Sequence, residues 1–327
     1  MLRFSGPFLF LGLVPVLYYA IGPGAPLLSI MLLLLALIGA ELVARRSEGD
    51  ERPQNPHRFR VLVLLYIPAQ IAVTAWAVWL SQRTSNAGFL ALALSVGVTG
   101  GVFGMLAAHE AVHSGDPAEA WLGNAMLTAM SYRHFRIAHV HGHHRWAGTE
   151  QDSATARLGE SFYHFLPRTV AGQFREAWRF ERQRHGLRAA ADIIVMAALF
   201  AVIAFAVGPR ALLFFVLQSM VAVIVLELFN YIAHYGLARG CDAKGRPRRL
   251  EDHHSWNSSN RLANALIFNM GRHSNHHRKP AAPYQDLRMH DAPELPFGYA
   301  GSILLALVPP LWRRLMDPKA QSWARTI

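Results

Sequence analysis

Long apolar runs alternate with polar, histidine-bearing stretches along this chain of 327 residues. Pro7–Ile21 and Pro26–Ala40 carry no charge and are joined by the turn sequence Gly22-Pro23-Gly24, which predicts a helical hairpin. Val61–Leu80 and Gly88–Ala108 form a second pair. Ile193–Val207 and Ala211–Phe229 form a third, joined at Gly208-Pro209-Arg210. Runs of this length read as membrane-spanning helices. The pattern predicts an all-α integral membrane protein with six transmembrane helices, at about 7–21, 26–43, 61–80, 88–112, 190–207 and 211–233. Arg3 ahead of the first run is leader-like, but no small-residue cleavage site follows, so a hairpin is the expectation. The small residues of Gly97–Gly104 suit close helix contact in lipid. Ile303–Leu311 is short and holds Pro309 and Pro310, which predicts an interfacial or packed segment.

Charge orients this bundle. Residues 44–60 hold Arg45, Arg46, Arg52, Arg58 and Arg60, and such short basic loops stay in the cytoplasm. Six spans then put the ends of the fourth and sixth runs on that side. The polar segments 113–188 and 234–327 join them there as a cytoplasmic cap, within a single domain of 1–327. Lys plus Arg number 32 and Asp plus Glu 21, a net charge of +11 that membrane lipid explains better than nucleic acid. The one cysteine, Cys241, excludes an internal disulfide and a four-cysteine iron or iron–sulfur site. Redox chemistry in this chain therefore needs electrons from another protein.

Histidine supplies the chemistry. Of 17 histidines, 15 lie between His109 and His277, clustered rather than scattered as solvated histidines would be. His109 and His113 fall in H-E-A-V-H. His139, His143 and His144 fall in H-V-H-G-H-H, His234 in N-Y-I-A-H-Y-G, and His273, His276 and His277 in R-H-S-N-H-H. Three of these clusters contain an i, i+4 pair, which on a helix lets two imidazoles reach one ion. Nine histidines exceed one ion's needs, so two metals sharing the set is the simpler reading; imidazole alone does not choose between iron, copper and zinc. H-E-x-x-H by itself also fits a zinc protease with Glu110 as base, a reading that leaves the other clusters unexplained. A non-enzymatic metal-binding membrane protein is a further alternative.

These four boxes, with D-S-A-T-A-R-L-G-E-S-F-Y-H-F-L-P at Asp152–Pro167, resemble the integral-membrane alkane monooxygenase family of the membrane desaturase and hydroxylase group. The likeness runs from about residue 95 to 285, and the H-Y-G box separates this family from ordinary fatty-acid desaturases. The resemblance implies two non-haem iron ions on the nine histidines just named, with O2 as co-substrate. It implies hydroxylation of the terminal methyl of a medium- or long-chain alkane to a 1-alkanol. Another apolar substrate, such as an alkylbenzene methyl or a fatty acid, and desaturation are the alternatives. It implies electrons from rubredoxin and its NAD(P)H-dependent reductase, and a place in a bacterial inner membrane.

The chain departs from the usual pattern beside its ligands. Ala138 and Ala233 stand where Glu is common, Asn275 where Asp is common and Ser114 where Lys is common. Carboxylates beside ligand histidines orient them and raise their basicity. Glu110, Glu227, Asn230, Asp152 and Asn275 are the expected supporting residues. His141, His253 and His254 are expected to be non-ligands. His57, His134, His164, His185 and His290 are expected to be ordinary. Trp76, Trp79, Trp121 and Trp146 are expected as interfacial anchors.

Overall fold

A computed structural model describes residues 2–43, 56–184 and 186–325. His185 and the loop arginines Arg45, Arg46 and Arg52 lie outside the described residues. Among the described residues the chain is helical, with isolated bridges in place of strands. The apolar runs become α1 (Gly6–Ala20), α2 (Leu27–Val43), α3 (Pro56–Leu80) and α4 (Asn86–Val112). After α5 (Pro117–Ala129) and α6 (Phe162–Gln183) come α7 (Arg188–Val207) and α8 (Pro209–His234). Four helices are long and apolar enough to cross a membrane: Arg58–Leu80 within α3, then α4, α7 and α8. With 15 and 17 residues, α1 and α2 are apolar but shorter than the ~20 residues a span usually needs.

The chain divides into two compact units. The first contains Met1–Ala36, Asn55–Arg136 and Glu181–Leu226. Its core is Val14, Ala77, Leu92, Val96, Phe214 and their neighbours. α4 winds as a π-helix over Gly100–Gly104. A Cβ on Gly97 would meet the Gln218 carbonyl at 2.7 Å, and one on Gly101 the Ala222 carbonyl at 2.7 Å. Only glycine lets α4 approach α8 so closely, as the small-residue stretch predicts. α5 starts at Pro117, with the Asp116 carboxylate accepting from Ala118 N at 2.8 Å and Glu119 N at 3.3 Å. Its buried residues include Gly123, Met126 and Leu127. Met126 meets the Gly104 position of α4, so this stretch of the polar section packs against a spanning helix.

The second unit contains Leu37–Gln54, Ile137–Phe180 and Glu227–Ile327. Its interior is unusually polar. Asn257, Asn264, Arg272, Ser274, Asn275 and Gln285 are all buried. Each buried polar group needs a partner, and loops supply them. Asn257 donates to Ser274 Oγ at 2.7 Å, Trp256 Nε1 to the Tyr235 carbonyl at 2.8 Å, and Tyr299 Oη to the Trp256 carbonyl at 2.9 Å. These bonds fix α9 (His273–Arg278) and the end of α8 in one rigid polar core. α10 (Gly298–Ala306) and α11 (Pro309–Arg325) follow; in the Ile303–Leu311 stretch Ala306 is buried while Leu304, Leu307, Val308 and Leu311 are exposed.

Candidate metal centre

The second unit sorts seven histidines into two groups. His143, His234, His273 and His277 are all buried and bring one ring nitrogen each within 4.8 Å of one another. His139, His144 and His276 are drawn together within the same distance.

The backbone does the sorting. Ala138–His143 is a π turn, in which hydrogen bonds run from i to i+5. It aligns His139 with His144, whose Nε2 atoms lie 3.0 Å apart. The i, i+4 expectation for His139 and His143 is therefore corrected: the wider turn sends them to different groups. In the α-helical α9 the expectation holds, with His273 and His277 Nε2 atoms 3.1 Å apart. His276 instead lies 3.1 Å from His144. Successive helical side chains diverge by about 100°. Each adjacent pair, His143-His144 and His276-His277, thus gives one ring to each group.

The spacing fits a metal. Nε2 of His234 is 3.0 Å from that of His273 and 3.1 Å from that of His277, which closes a triangle with the 3.1 Å His273–His277 edge. Ligands about 2.1 Å from an ion stand about 3.0 Å apart at right angles, and about 3.4 Å apart at tetrahedral angles. The triangle is small enough for all three rings to reach one ion. Lone pairs converging at this distance repel one another unless a cation lies among them. His143 Nε2 is buried in the same group without a hydrogen-bond partner among the described residues.

Outer nitrogens set the tautomers. His143 Nδ1 donates to Asp152 Oδ2 at 2.8 Å, and Asp152 also accepts from Thr155 Oγ1 at 2.6 Å and Ala154 N at 3.1 Å. His234 Nδ1 lies 3.2 Å from the His254 carbonyl, which only accepts. The proton therefore sits on Nδ1 and the Nε2 lone pair faces inward. Burial pulls His143 down, but the charge and hydrogen bond of Asp152, helped by Glu176 and Glu227, raise it above the usual imidazole range. Burial pushes Asp152 up, but His143 and Thr155 hold it below the usual carboxylate range. His277 is held well below its usual value by burial and then by His273, His144, His143 and His234. It stays neutral, the form a metal ligand needs.

The other expected residues lie around these groups. Glu227 is fully buried and accepts from Gln173 Nε2 at 2.8 Å, Thr169 Oγ1 at 3.0 Å and Asn230 Nδ2 at 3.1 Å. Asn230 thus supports Glu227 rather than a histidine, because i, i+3 spacing puts both on one face of α8. Asn275 is a second correction. Its Oδ1 accepts from Arg288 N at 2.9 Å and its Nδ2 donates to His290 Nε2 at 2.7 Å, so it anchors a loop. His290 is correspondingly its partner, not an incidental surface ring. His141 stacks on Phe180 at 4.4 Å and lies outside both groups. His253 and His254 also belong to neither, but the His254 main chain orients His234, a role no side-chain pattern signals. Glu176, which accepts from Ser153 N at 3.0 Å, and Thr169 and Gln173 also escape the sequence reading.

His109 and His113 belong to the first unit, at the end of α4, with ring centroids 4.8 Å apart as i, i+4 spacing predicts. Glu110 lies beside them on α4, where its charge acts on Arg60, whose guanidinium hydrogen-bonds the Glu119 carboxylate. Arg60 also donates to Ser114 Oγ, at the position where the resembled family commonly has Lys. Ala138 packs with Ile137, Ala177 and Phe180 in an apolar cluster. Ala233 is fully buried and uses its carbonyl to accept from Trp256 N at 2.7 Å.

Comparison with known proteins places this arrangement. The model of the fatty acid desaturase family matches residues 84–303. An alkane 1-monooxygenase 2 from Pseudomonas aeruginosa is 38% identical over 304 residues, covering 88% of this chain and 80% of its own. An alkane 1-monooxygenase from Pseudomonas putida is 35% identical over 330 residues, covering 97% of this chain and 79% of its own. The xylene/toluene monooxygenase hydroxylase component of Pseudomonas putida is 30% identical over 260 residues, covering 75% and 67%. Likeness to the alkane enzymes extends over nearly the whole chain, boxes and apolar helices together, and the chain belongs to the alkane 1-monooxygenase family within the wider fatty acid desaturase family.

Proposed function

We propose that this protein is a membrane monooxygenase that hydroxylates the terminal methyl of a medium- or long-chain alkane to a 1-alkanol. The reading is carried by the two histidine groups, taken with relatives whose names state that activity. The reaction balances as R–CH3 plus O2, two electrons and two protons giving R–CH2OH and water. Two iron ions would be held by His109, His113, His139, His143, His144, His234, His273, His276 and His277. Bound there, they would supply the reduction of O2 that makes a methyl C–H bond reactive.

The chain's own residues do the rest. Asp152 and the His254 carbonyl hold two ligand rings in the tautomer that presents Nε2. Glu227 places a buried negative charge whose influence reaches His143. With one cysteine in the chain, electrons come from outside. We assign that role to rubredoxin and its NAD(P)H-dependent reductase. The apolar helices make the protein integral to a membrane. In the full reading α1 and α2 also span, giving six helices in a single domain of the bacterial inner membrane with the histidines on the cytoplasmic side. The xylene/toluene relative keeps an alkylbenzene methyl as a second substrate class.

Metal analysis with turnover tests the assignment. The protein purified in mild detergent should hold about two irons per chain and, with rubredoxin, reductase, NADH and dodecane, form 1-dodecanol. Iron with alcohol from toluene alone would move the substrate to the second class. Zinc without iron would overturn the metal assignment.

A further inference from the structure

The first unit contains a groove of about 610 Å3 with an apolar wall that includes Ile71, Val78, Leu199, Ile203 and Phe215. That volume is in the usual ligand-pocket range of ~300–1,000 Å3. Much of the α7 helix beside it is bare: Ile194, Val202 and Phe205 are all exposed. The groove becomes polar toward Asn124, Thr128 and Arg133. Arg133 Nε donates to Asp192 Oδ1 at 2.7 Å and Nη1 to Thr128 Oγ1 at 2.6 Å, so this pair is internally neutral. Arg136 is half-buried; its main-chain N donates to the Arg133 carbonyl at 3.4 Å, and its guanidinium makes no hydrogen bond among the described residues. The charges it feels are Arg188, Asp192, Arg133 and Glu181. Three arginines thus face two carboxylates, and Glu181 is already accepting from Arg188 N at 3.0 Å. One positive charge is left over at the end where α7 begins.

We propose that this groove binds an anionic phospholipid, one acyl chain along the apolar wall and the phosphate just beyond the Arg133 end, at Arg136 and Arg188. A half-buried guanidinium calls for an anion. Basic pockets between membrane helices take acidic head groups. The 16 residues of α7 from Asp192 to Val207 rise about 22 Å, enough for one acyl chain within a hydrocarbon core about 30 Å thick. An alkane offers nothing to Arg136, and a choline head group would bring a cation to an already cationic pole.

Trp79 and Trp121 line the groove and are exposed, so quenching reports occupancy. Full-length protein in dodecyl maltoside is titrated with phosphatidylglycerol, or with phosphatidylcholine, brominated on its acyl chains. Phosphatidylglycerol should quench at a mole fraction at least about tenfold lower. Arg136→Gln with Arg188→Gln should erase that preference, and Arg136→Lys with native Arg188 should keep most of it. Trp79→Phe with Trp121→Phe should remove the selective quenching. Equal quenching by both lipids overturns the proposal. So does selectivity that survives the double glutamine variant, or loss of phosphatidylglycerol quenching on adding dodecane. Should the double variant unfold in detergent alone, Arg136→Gln against Arg136→Lys decides: loss in the first with retention in the second supports the site, and no difference overturns it.

Discussion

The two histidine groups of the second unit use the same side chain but are supported differently. In the four-histidine group every ring is buried, and the outer nitrogens of His143 and His234 are fixed by a carboxylate and a carbonyl. Around the three-histidine group His144 is only partly buried. Ala138, beside His139, sits in an apolar cluster, and Asn275, beside His276, is neutral and turned to a loop. The surviving buried carboxylates, Asp152 and Glu227, both act on His143. Support beside the ligands is therefore unequal between the two groups. The four-histidine group should hold its metal more tightly.

The largest effect should follow His234→Ala. It removes one corner of the His234, His273 and His277 triangle, so alcohol formation should fall to the detection limit and iron from about two toward one per chain. Retention of two irons would remove His234 from the ligand set. Next comes Asp152→Asn, which keeps the shape but loses the charge that orients His143. Such changes typically weaken metal binding by about 10–100-fold. Chelator challenge should convert the slower-released iron into a fast class and leave the other unchanged. Equal loss from both sites would end the asymmetry.

The same pair sets a pH dependence. His143 is raised, so in the metal-free protein its ion pair with Asp152 adds stability below the usual imidazole range, and that stability is lost as pH rises through the raised value. Metal binding runs the other way, because the proton must leave Nε2 before the ligand bond forms. Iron uptake by the four-histidine group should therefore weaken from above pH ~6.5 downward. In Asp152→Asn that fall should begin at lower pH. Glu227→Gln removes a more distant charge and should shift the profile the same way by less. Uptake measured from pH 5.5 to 8 checks both variants, and an unshifted profile in Asp152→Asn would break the linkage.

Side-chain chemistry was the legible part of this site. Apolar runs marked the helices, glycines marked the close approach of α4 to α8, and i, i+4 spacing correctly joined His273 to His277. Spacing failed at His139 and His143 because hydropathy and residue type carry no sign of a π turn. It also missed the His254 carbonyl, since any residue has one. The roles of Thr169, Gln173 and His290 depend on which loops and helices meet far along the chain, which local patterns do not encode.

Asn275→Asp should have the smallest effect, and it probes the three-histidine group directly. The position adjoins His276, where the resemblance leads one to expect Asp, so its sequence neighbourhood suggests a tightening of the metal. Its contacts suggest otherwise. Asn275 meets Arg288 N and His290 Nε2, and neither atom belongs to a ligand. Aspartate keeps the first bond and regains the second once His290 carries its proton on Nε2. The two bonds gain from charge roughly what the buried carboxylate loses in hydration, so stability should change by less than about 1 kcal/mol. Iron retention under chelator should stay within about fivefold of the parent protein, well below the 10–100-fold typical of a residue that orients a ligand. A tenfold gain confined to the weaker site would mean that charge at 275 reaches His276 despite its loop contacts. The asymmetry between the groups would then be a matter of charge that one substitution can restore, rather than of the fold.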